Sequence, residues 1–379
     1  MDLGFSEVQQ MLKSSAQEFL TQECPLTLVR EMEDDPQGYT EQLWRQLVAL
    51  GWTGVAFPEQ YGGTGGNFLD LAVLLEEMGR NLVPGPFFAT VVLGGLSVLD
   101  AGSDAQKQDI LPRICSGDLK MTLALTEPTA TYEAWGVETT AQQQGDNYVI
   151  NGNKLFVPDA HVADIMIVAA RTSPISDGGD PTQGITLFLV PGNSTGLTIS
   201  PLKTISSDRQ SELNFKDVSV PASSVLGQVG AGWPVVQNAL HKAITGKCLE
   251  MLGGADAVLE MTLDYVKQRT QFGRAIGTFQ AVQHHCANMA TDLEGSRNII
   301  YQAAWQISEG TATQGAVSMA KAWVSGAYHR ICESAHQCHG AIGFTKEHNL
   351  QLYTRRAKAL ELTYGDANFH KELALQSLV

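Results

Sequence analysis

The chain has 379 residues, of which 44% are hydrophobic and 17% charged, a composition typical of a globular protein rather than a disordered one. Its length predicts about two or three domains. The formal net charge of −15 argues against a nucleic-acid-binding surface, because such a surface needs clustered Lys and Arg. An anionic ligand must therefore be bound by local positive groups.

The sequence gives no sign of export, membrane insertion or metal binding. No N-terminal run has the charged-then-apolar form of a signal peptide, and no apolar run is long enough to span a bilayer. The six cysteines are scattered, and Cys338-His339 beside His336 fits no common metal spacing. We therefore expect a cytoplasmic protein with reduced thiols, no metal and no membrane contact.

The first part of the chain predicts helices. Apolar residues recur at helical spacing in Glu7–Leu20, and the pattern returns in Glu41–Leu50 and Phe68–Gly79. The glycine-rich run Pro58–Gly66 between them predicts a loop. We assign residues 1–119 to an N-terminal α-helical domain.

The middle of the chain predicts short strands separated by turn residues. Asp146-Asn147 and Asn151-Gly152 are turn signals of the hairpin kind. We assign residues 120–228 to a central β-barrel-like domain. The predicted strands are Met121–Leu125, Tyr148–Ile150, Ile165–Ala170, Ile185–Val190 and Leu213–Phe215.

The last part of the chain predicts long helices, and we assign residues 229–379 to a four-helix bundle. Helices, then strands, then helices make the whole chain an α+β multidomain protein. The predicted bundle helices are Val235–Gln268, Gln280–Glu309, Gln314–Cys338 and Leu350–Leu378.

The loop after the first bundle helix carries the run Arg269-Thr-Gln-Phe-Gly273. Arg offers a rigid fork for a phosphate, and Gly lets the backbone come close to a ligand. The run resembles the Arg-x-x-Phe-Gly segment of the acyl-CoA dehydrogenase family, which reaches across a subunit interface to the pyrophosphate of FAD. The resemblance implies that Arg269 and Phe272 contact FAD.

Three further segments resemble FAD-binding segments of that family. Leu123-Ala-Leu-Thr-Glu-Pro128 resembles the strand end that lies against the flavin ring, which implies contacts from Thr126 and the backbone of Leu125. Lys154-Leu-Phe-Val-Pro-Asp159 places Phe156 where the family often has a flavin-stacking Trp, and Pro158 where it has a Thr. Gln337-Cys-His-Gly340 resembles the segment that holds the distal part of FAD, which implies contacts from Gln337 and Gly340.

The matches run in order over nearly the whole chain, so it is identified as a member of the acyl-CoA dehydrogenase fold family. The resemblance implies FAD, an acyl-CoA substrate, a homotetramer, a role in fatty acid or acyl-CoA catabolism, and electron transfer to an electron-transfer flavoprotein. It implies removal of a proton from Cα and of a hydride from Cβ. Tyr132 stands where the family commonly has a Ser that contacts flavin and substrate, and we expect it to contact the substrate.

The general base is missing from both places where the family has its Glu. In the run Leu362-Thr-Tyr-Gly-Asp366, Tyr364 stands at the usual position of the Glu and is assigned to substrate binding. The alternative position, on the first bundle helix, is Ala243. Asp366 and Asn368 are interpreted as FAD contacts.

Glu250 is the candidate base that the sequence offers instead. It is the one carboxylate on a stripe of small residues at helical spacing, where a buried carboxylate could accept a proton. An alternative interpretation is equally weighted: a neighbouring helix approaches this stripe, and Glu250 is ion-paired. The stripe consists of Ala243, Gly246, Glu250, Gly253 and Ala257.

Two other functions remain open. In one, the chain is a non-catalytic subunit that completes the FAD site of a heteromeric acyl-CoA dehydrogenase, since such a chain would lack both usual glutamates. In the other, it is an oxidase of the same fold. Nitroalkane oxidases of this fold use Asp at the position of Tyr364, which counts against the second.

Overall fold

The computed structural model describes residues 4–175 and 178–377, so the outermost residues of the predicted domains lie outside it. The chain divides into two compact units. The sheet-containing unit comprises Met32–Asn67 and Pro84–Ala243. The helical unit comprises the described residues of Met1–Glu31, Phe68–Val83 and Ile244–Val379. The predicted domain boundaries at residues 119 and 228 stay predictions.

The α-helices follow the predicted order of helices before and after the sheet. Phe88–Gly95 forms a π-helical stretch directly before α5. The α-helices are α1 (Glu7–Glu23), α2 (Leu26–Asp34), α3 (Glu41–Ala49), α4 (Phe68–Arg80), α5 (Leu96–Ala101), α6 (Asp104–Cys115), α7 (Trp233–Gln268), α8 (Gln280–Ser308), α9 (Gln314–His339), α10 (Leu350–Leu362) and α11 (Ala367–Gln376).

In the described part of the sheet-containing unit, five of eight strands begin within three residues of a predicted strand, and several of them are longer. Three strands were not predicted: Thr140–Gln144, Leu197–Leu202 and Val225–Leu226. The predicted hairpin turn at Asn151-Gly152 was wrong, because both residues lie inside the strand Asn147–Pro158, where the register to its neighbour shifts. The predicted strands at Tyr148–Ile150 and Leu213–Phe215 are parts of two twelve-residue strands. The strands are β1 (Met121–Ala124), β2 (Thr140–Gln144), β3 (Asn147–Pro158), β4 (Ile165–Arg171), β5 (Ile185–Pro191), β6 (Leu197–Leu202), β7 (Gln210–Pro221) and β8 (Val225–Leu226), with the short pair β9 (Thr270–Gln271) and β10 (Arg274–Ala275) in the helical unit.

In the described part of the chain, β1–β8 form one sheet in the order β6-β7-β3-β2-β4-β5-β8, with β1 beside β4. The antiparallel pair β3 and β7 runs from Asn147 opposite Pro221 to Pro158 opposite Gln210. Alternate residues of β7 are buried, as expected for a strand with one face on a core. That core includes Ile150, Val168 and Phe188. The sheet therefore gives a rigid base for the residues at its strand ends.

In the helical unit, α4 packs closely against α7 through glycines. A side chain at Gly253 would overlap the Glu76 carbonyl, and one at Gly79 would overlap the backbone of Glu250. The Glu76 carboxylate is buried there and is paired with Lys13 at 3.0 Å and Arg297 at 2.5 Å. These two cations compensate the desolvation of a buried carboxylate.

One predicted helix was wrong. The run Leu350–Leu378 is not continuous, because α10 ends at Leu362 and α11 begins at Ala367. Tyr364 and Gly365 between them have positive φ angles of 61° and 106°. A helix cannot continue through such angles, so the chain turns where the sequence pattern still suggested a helix.

Candidate functional site

The predicted site residues fall on both units, and each group is described within its own unit. The sheet-containing unit carries Leu125, Thr126, Tyr132 and Phe156. The helical unit carries Glu250, Arg269, Phe272, Gln337, Gly340, Tyr364, Asp366 and Asn368.

The Leu125-Thr126 turn at the end of β1 is held by a buried ion pair that the sequence analysis missed. The Lys154 ammonium donates to the Leu125 carbonyl at 3.1 Å and to the Glu127 carboxylate at 2.5 Å. Both charged side chains are almost fully buried, at 0% and 2% exposure. Burial lowers the pKa of Lys154, and Glu127 opposes this effect.

The same turn is also fixed by hydrogen bonds from backbone amides. The Leu155 amide donates to the Thr126 carbonyl at 2.8 Å, and the Glu127 carboxylate accepts from the amides of Glu138 and Thr139. The Thr126 hydroxyl makes no hydrogen bond with any residue that the structure describes. The turn thus presents a rigid backbone and a hydroxyl that can still bond to a ligand.

Phe156 lies at a β-bulge. The register between β3 and β7 shifts between Lys154 and Val157, and Phe156 there has a φ of 55°. Its side chain is 50% exposed, in a strand whose neighbour Val157 is buried. A bulge redirects a side chain, and positive φ in a non-glycine residue is often found at functional sites. The exposed ring next to the Thr126 turn is available for stacking.

Tyr132 lies on the segment between β1 and β2, in a half-exposed position. The Arg171 guanidinium anchors this segment by donating to the carbonyls of Ala134 at 2.7 Å and Val137 at 2.6 Å. Trp135 on the same segment is 51% exposed. The structure therefore places Tyr132 on an anchored loop, and its contact with substrate stays a prediction.

The Arg269 loop is an open turn between α7 and α8. Arg269 is exposed, and its guanidinium makes no ion pair in the described part of the chain. Phe272 is 92% exposed with a φ of 52°, and Gly273 follows with a φ of 77° and open space above its Cα. An unpaired Arg beside an open backbone is suited to an anionic ligand.

The structure brings the Arg269 loop and the Gln337 segment together. Tyr265, one turn before Arg269, stacks on His339 with ring centroids 4.5 Å apart, and its hydroxyl donates to the His339 carbonyl at 3.4 Å. Gln337 and Gly340 are exposed, and Gly340 has a φ of 64° with no atom near its missing Cβ. The two segments form one candidate site.

The turn that carries Tyr364 and Asp366 lies elsewhere in the helical unit. Asp366 caps α11, where its carboxylate accepts from the Phe369 amide at 2.8 Å, and Asn368 is exposed on the first turn of that helix. Lys321 of α9 contacts this turn region, whereas Gln337 lies sixteen residues later on the same helix, roughly 24 Å away at 1.5 Å per residue. Asp366 therefore has a structural role, and its FAD contact stays a prediction.

Glu250 is ion-paired. Its carboxylate lies 2.8 Å from the Lys247 ammonium, one turn earlier on α7, and both side chains are largely buried. The small-residue stripe around it is approached by α4. These observations favour the structural interpretation of Glu250, and its role as base stays a prediction. Ala243, at the family's alternative base position, is fully buried.

The residues present fit FAD as a cofactor. The Thr126 hydroxyl and the Phe156 ring are available in one unit, and the Arg269 loop with its open glycine is available in the other. In the described residues, no cluster of His, Cys, Asp or Glu could hold a metal ion. None of the described helices is long and apolar enough to cross a membrane.

Three family models cover most of the chain. They are acyl-CoA dehydrogenase N-terminal domain at residues 6–118, middle domain at 122–218 and C-terminal domain at 230–379. The probable acyl-CoA dehydrogenase YngJ of Bacillus subtilis is 31% identical over all of both chains. The caffeyl-CoA reductase-Etf complex subunit CarC of Acetobacterium woodii is 30% identical over 95% of both.

Solved structures agree with these matches. Butyryl-CoA dehydrogenase from Megasphaera elsdenii superposes with a TM-score of 0.92 at 30% identity, covering all of both chains. One chain in the structure of the ChsE4-ChsE5 complex from Mycobacterium tuberculosis superposes with a TM-score of 0.90 at 28% identity, covering 100% of this chain and 99% of that one. The predicted order of helical, β and helical domains in one fold is confirmed.

Proposed function

The chain belongs to the acyl-CoA dehydrogenase family of oxidoreductases, and on that premise we propose that it uses FAD to dehydrogenate an acyl-CoA thioester between Cα and Cβ. The observation that carries this proposal is the half-exposed Phe156 ring, redirected by a bulge next to the rigid Thr126 turn. An aromatic ring beside a free hydroxyl is suited to a flat heterocycle that has both a stacking face and polar edges.

The residues of the sheet-containing unit would orient the flavin ring. The Lys154–Glu127 pair fixes the Leu125-Thr126 backbone through the Leu125 carbonyl, and the Leu155 amide binds the Thr126 carbonyl. Thr126 therefore keeps one position relative to Phe156. Pro158, where the family has a Thr, can donate no hydrogen bond, and its carbonyl accepts from the buried Thr122 hydroxyl at 2.6 Å. Thr126 would therefore supply the side-chain hydroxyl that forms a hydrogen bond with the flavin ring.

The residues of the helical unit would bind the pyrophosphate of FAD and accept the Cα proton of the acyl-CoA. Arg269 would pair with the pyrophosphate, and Gln337 and Gly340 would contact the distal part of the cofactor. Bound FAD would accept the hydride from Cβ of the thioester. Glu250 is the proposed acceptor of the Cα proton, and the transfer would have to break its 2.8 Å pair with Lys247.

Electron transfer to an electron-transfer flavoprotein is part of the proposal. The similarity to the CarC subunit, whose name places it in a reductase-Etf complex, supports it. The test is to incubate the purified chain with a panel of acyl-CoAs and an electron-transfer flavoprotein, and to follow the acyl-CoAs by mass spectrometry. The proposal predicts loss of two hydrogens from at least one thioester. It is wrong if every thioester in a broad panel is unchanged.

A second function is favoured by the missing base. Tyr364 replaces the family's Glu, and Glu250 is paired, so the chain could instead complete the FAD site of a related, catalytic subunit. The similarity to the ChsE4-ChsE5 complex supports this alternative. Flavin reduction only after a Glu-bearing partner is added would select it, whereas reduction by the chain alone would exclude it.

A further inference from the structure

The turn that carries Tyr364 is held by a buried polar network formed by residues of α9 and α11. His370 of α11 is fully buried, and its Nε2 lies 2.9 Å from the Tyr364 carbonyl. Because a carbonyl oxygen only accepts, Nε2 must carry the proton and donate it. The other ring nitrogen, Nδ1, then accepts from the Ser318 hydroxyl at 3.1 Å.

A buried lysine of α9 holds the chain just before the same turn. The Lys321 ammonium is 0% exposed and donates to the carbonyls of Leu360 at 2.5 Å and Glu361 at 3.1 Å, at the end of α10. These carbonyls have no partner within the helix, and a cation at a helix C-terminus is favourable. Ser318 and Lys321 are three residues apart, so both face the turn from one side of α9.

Tyr364 itself has an unusual backbone. Its φ is 61°, a left-handed conformation that costs free energy in a residue with a Cβ. Such a conformation persists only where the surroundings impose it. The next position must be a glycine for the turn to keep this shape, because a Cβ at Gly365 would overlap the Phe369 ring.

We propose that Ser318, Lys321 and His370 are positioning residues that hold Tyr364 in its left-handed conformation, and so fix its side chain for contact with the acyl-CoA. The second half of this statement rests on the proposed function. The network depends on a neutral His370, whose pKa is lowered to about 4 by burial, with Lys321 and Asp366 as the charged groups near it.

The test compares two substitutions of His370 in the full-length, FAD-loaded protein. His370→Gln keeps an N–H donor that can reach the Tyr364 carbonyl, and His370→Leu removes it. Ser318→Ala removes the second hydrogen bond. The matched control is Ser296→Ala, which removes another buried serine whose hydroxyl, among the described residues, bonds only to the Asp292 carbonyl of its own helix.

Hydrogen exchange of the peptide covering residues 360–366 measures how stably the network holds the turn, and it needs no substrate. We expect exchange about tenfold faster in His370→Leu, because two hydrogen bonds are lost, and a smaller increase in Ser318→Ala, which loses one of them. Exchange should be near-parental in His370→Gln and Ser296→Ala. Parental exchange in a folded His370→Leu variant, or no rescue by Gln, would overturn the positioning role.

Binding of a non-reactive thioether analogue of acyl-CoA, followed by the flavin spectrum, measures whether the network affects the contact between Tyr364 and the substrate. His370→Leu should weaken analogue binding by about tenfold with FAD retention unchanged, and Gln should restore it. Parental analogue binding in His370→Leu would overturn the link to substrate. If the parent itself binds no analogue, the proposed function fails, and hydrogen exchange still decides on the network.

Discussion

At the scale of single residues, the backbone conformations of Phe156 and Tyr364 support the site more strongly than their identities do. Both are bulky residues with positive φ, at 55° and 61°. The sequence named both from their position in family motifs, but it could not predict the bulge or the turn that produces these angles. Asp366 shows the opposite case, because its cap on α11 explains it without a ligand.

Arg269→Ala should weaken FAD retention by about tenfold to a hundredfold, because it removes a charge-assisted contact to phosphate. Arg274→Ala is the matched control, since the Arg274 guanidinium stacks on Phe279 at 4.1 Å in the same loop. FAD affinity can be measured by flavin fluorescence during titration of the apoprotein. Equal affinity in parent and Arg269→Ala would mean that this loop does not bind the cofactor.

Glu250→Gln should leave FAD bound and slow flavin reduction by acyl-CoA about 10²–10⁴-fold, because it removes the proposed base without changing its shape. Tyr364→Phe should be much milder, since it removes only a hydroxyl. Stopped-flow reduction rates measure both. The reverse order of effects would transfer the role to Tyr364, and parental rates in both variants would exclude each of them as the base.

At the scale of elements, the sequence pattern located most helices but not their contacts. The helices α7, α8 and α9 were predicted as long runs suited to a bundle, whereas Lys154 and Glu127 lie 27 residues apart in the sequence and come together only when the sheet folds. Periodicity could not reveal the break at Tyr364, because apolar residues continue on both sides of it. The pairing of Glu250 with Lys247, three residues away, could have been read from helical spacing.

Removing one partner of the buried Lys154–Glu127 ion pair should cost more stability than removing both charges. Glu127→Gln leaves a buried ammonium without its counter-charge and should lower the free energy of unfolding by about 3–5 kcal/mol. The double variant Lys154→Met with Glu127→Gln should recover part of this loss, because no uncompensated charge remains and the Gln side-chain oxygen can still accept from the Glu138 and Thr139 amides. Denaturant unfolding of the parent, of each single variant (Lys154→Met and Glu127→Gln) and of the double variant measures the coupling. Additive losses in the double variant would contradict the interpretation of a coupled buried pair.

At the scale of the whole molecule, FAD binding and assembly should be linked. Arg269, Phe272 and Gln337 are exposed in the chain, and Gln337 lies roughly 24 Å along α9 from Lys321, which contacts the end of α10 just before the Tyr364 turn. We therefore propose that they serve a flavin seated mainly in a neighbouring subunit.

Light scattering of the flavin-loaded protein should show an oligomer of at least two chains, with a homotetramer as our proposal. Phe272→Asp, which places a charge at the 92% exposed ring, should shift the protein toward smaller species and release FAD together with the subunits. Trp135→Asp is a control that places the same charge at an exposed aromatic outside this loop, although Trp135 is only 51% exposed. A monomer that retains full flavin would contradict the shared site.

Anaerobic titration of the purified chain with a panel of acyl-CoAs tests the central claim most directly. If this chain is an FAD-dependent acyl-CoA dehydrogenase with its own base, at least one acyl-CoA should bleach the oxidised flavin band without any added protein, and Glu250→Gln should prevent the bleaching. A flavin that stays oxidised with every acyl-CoA, and is bleached only after a Glu-bearing partner subunit is added, would contradict the claim.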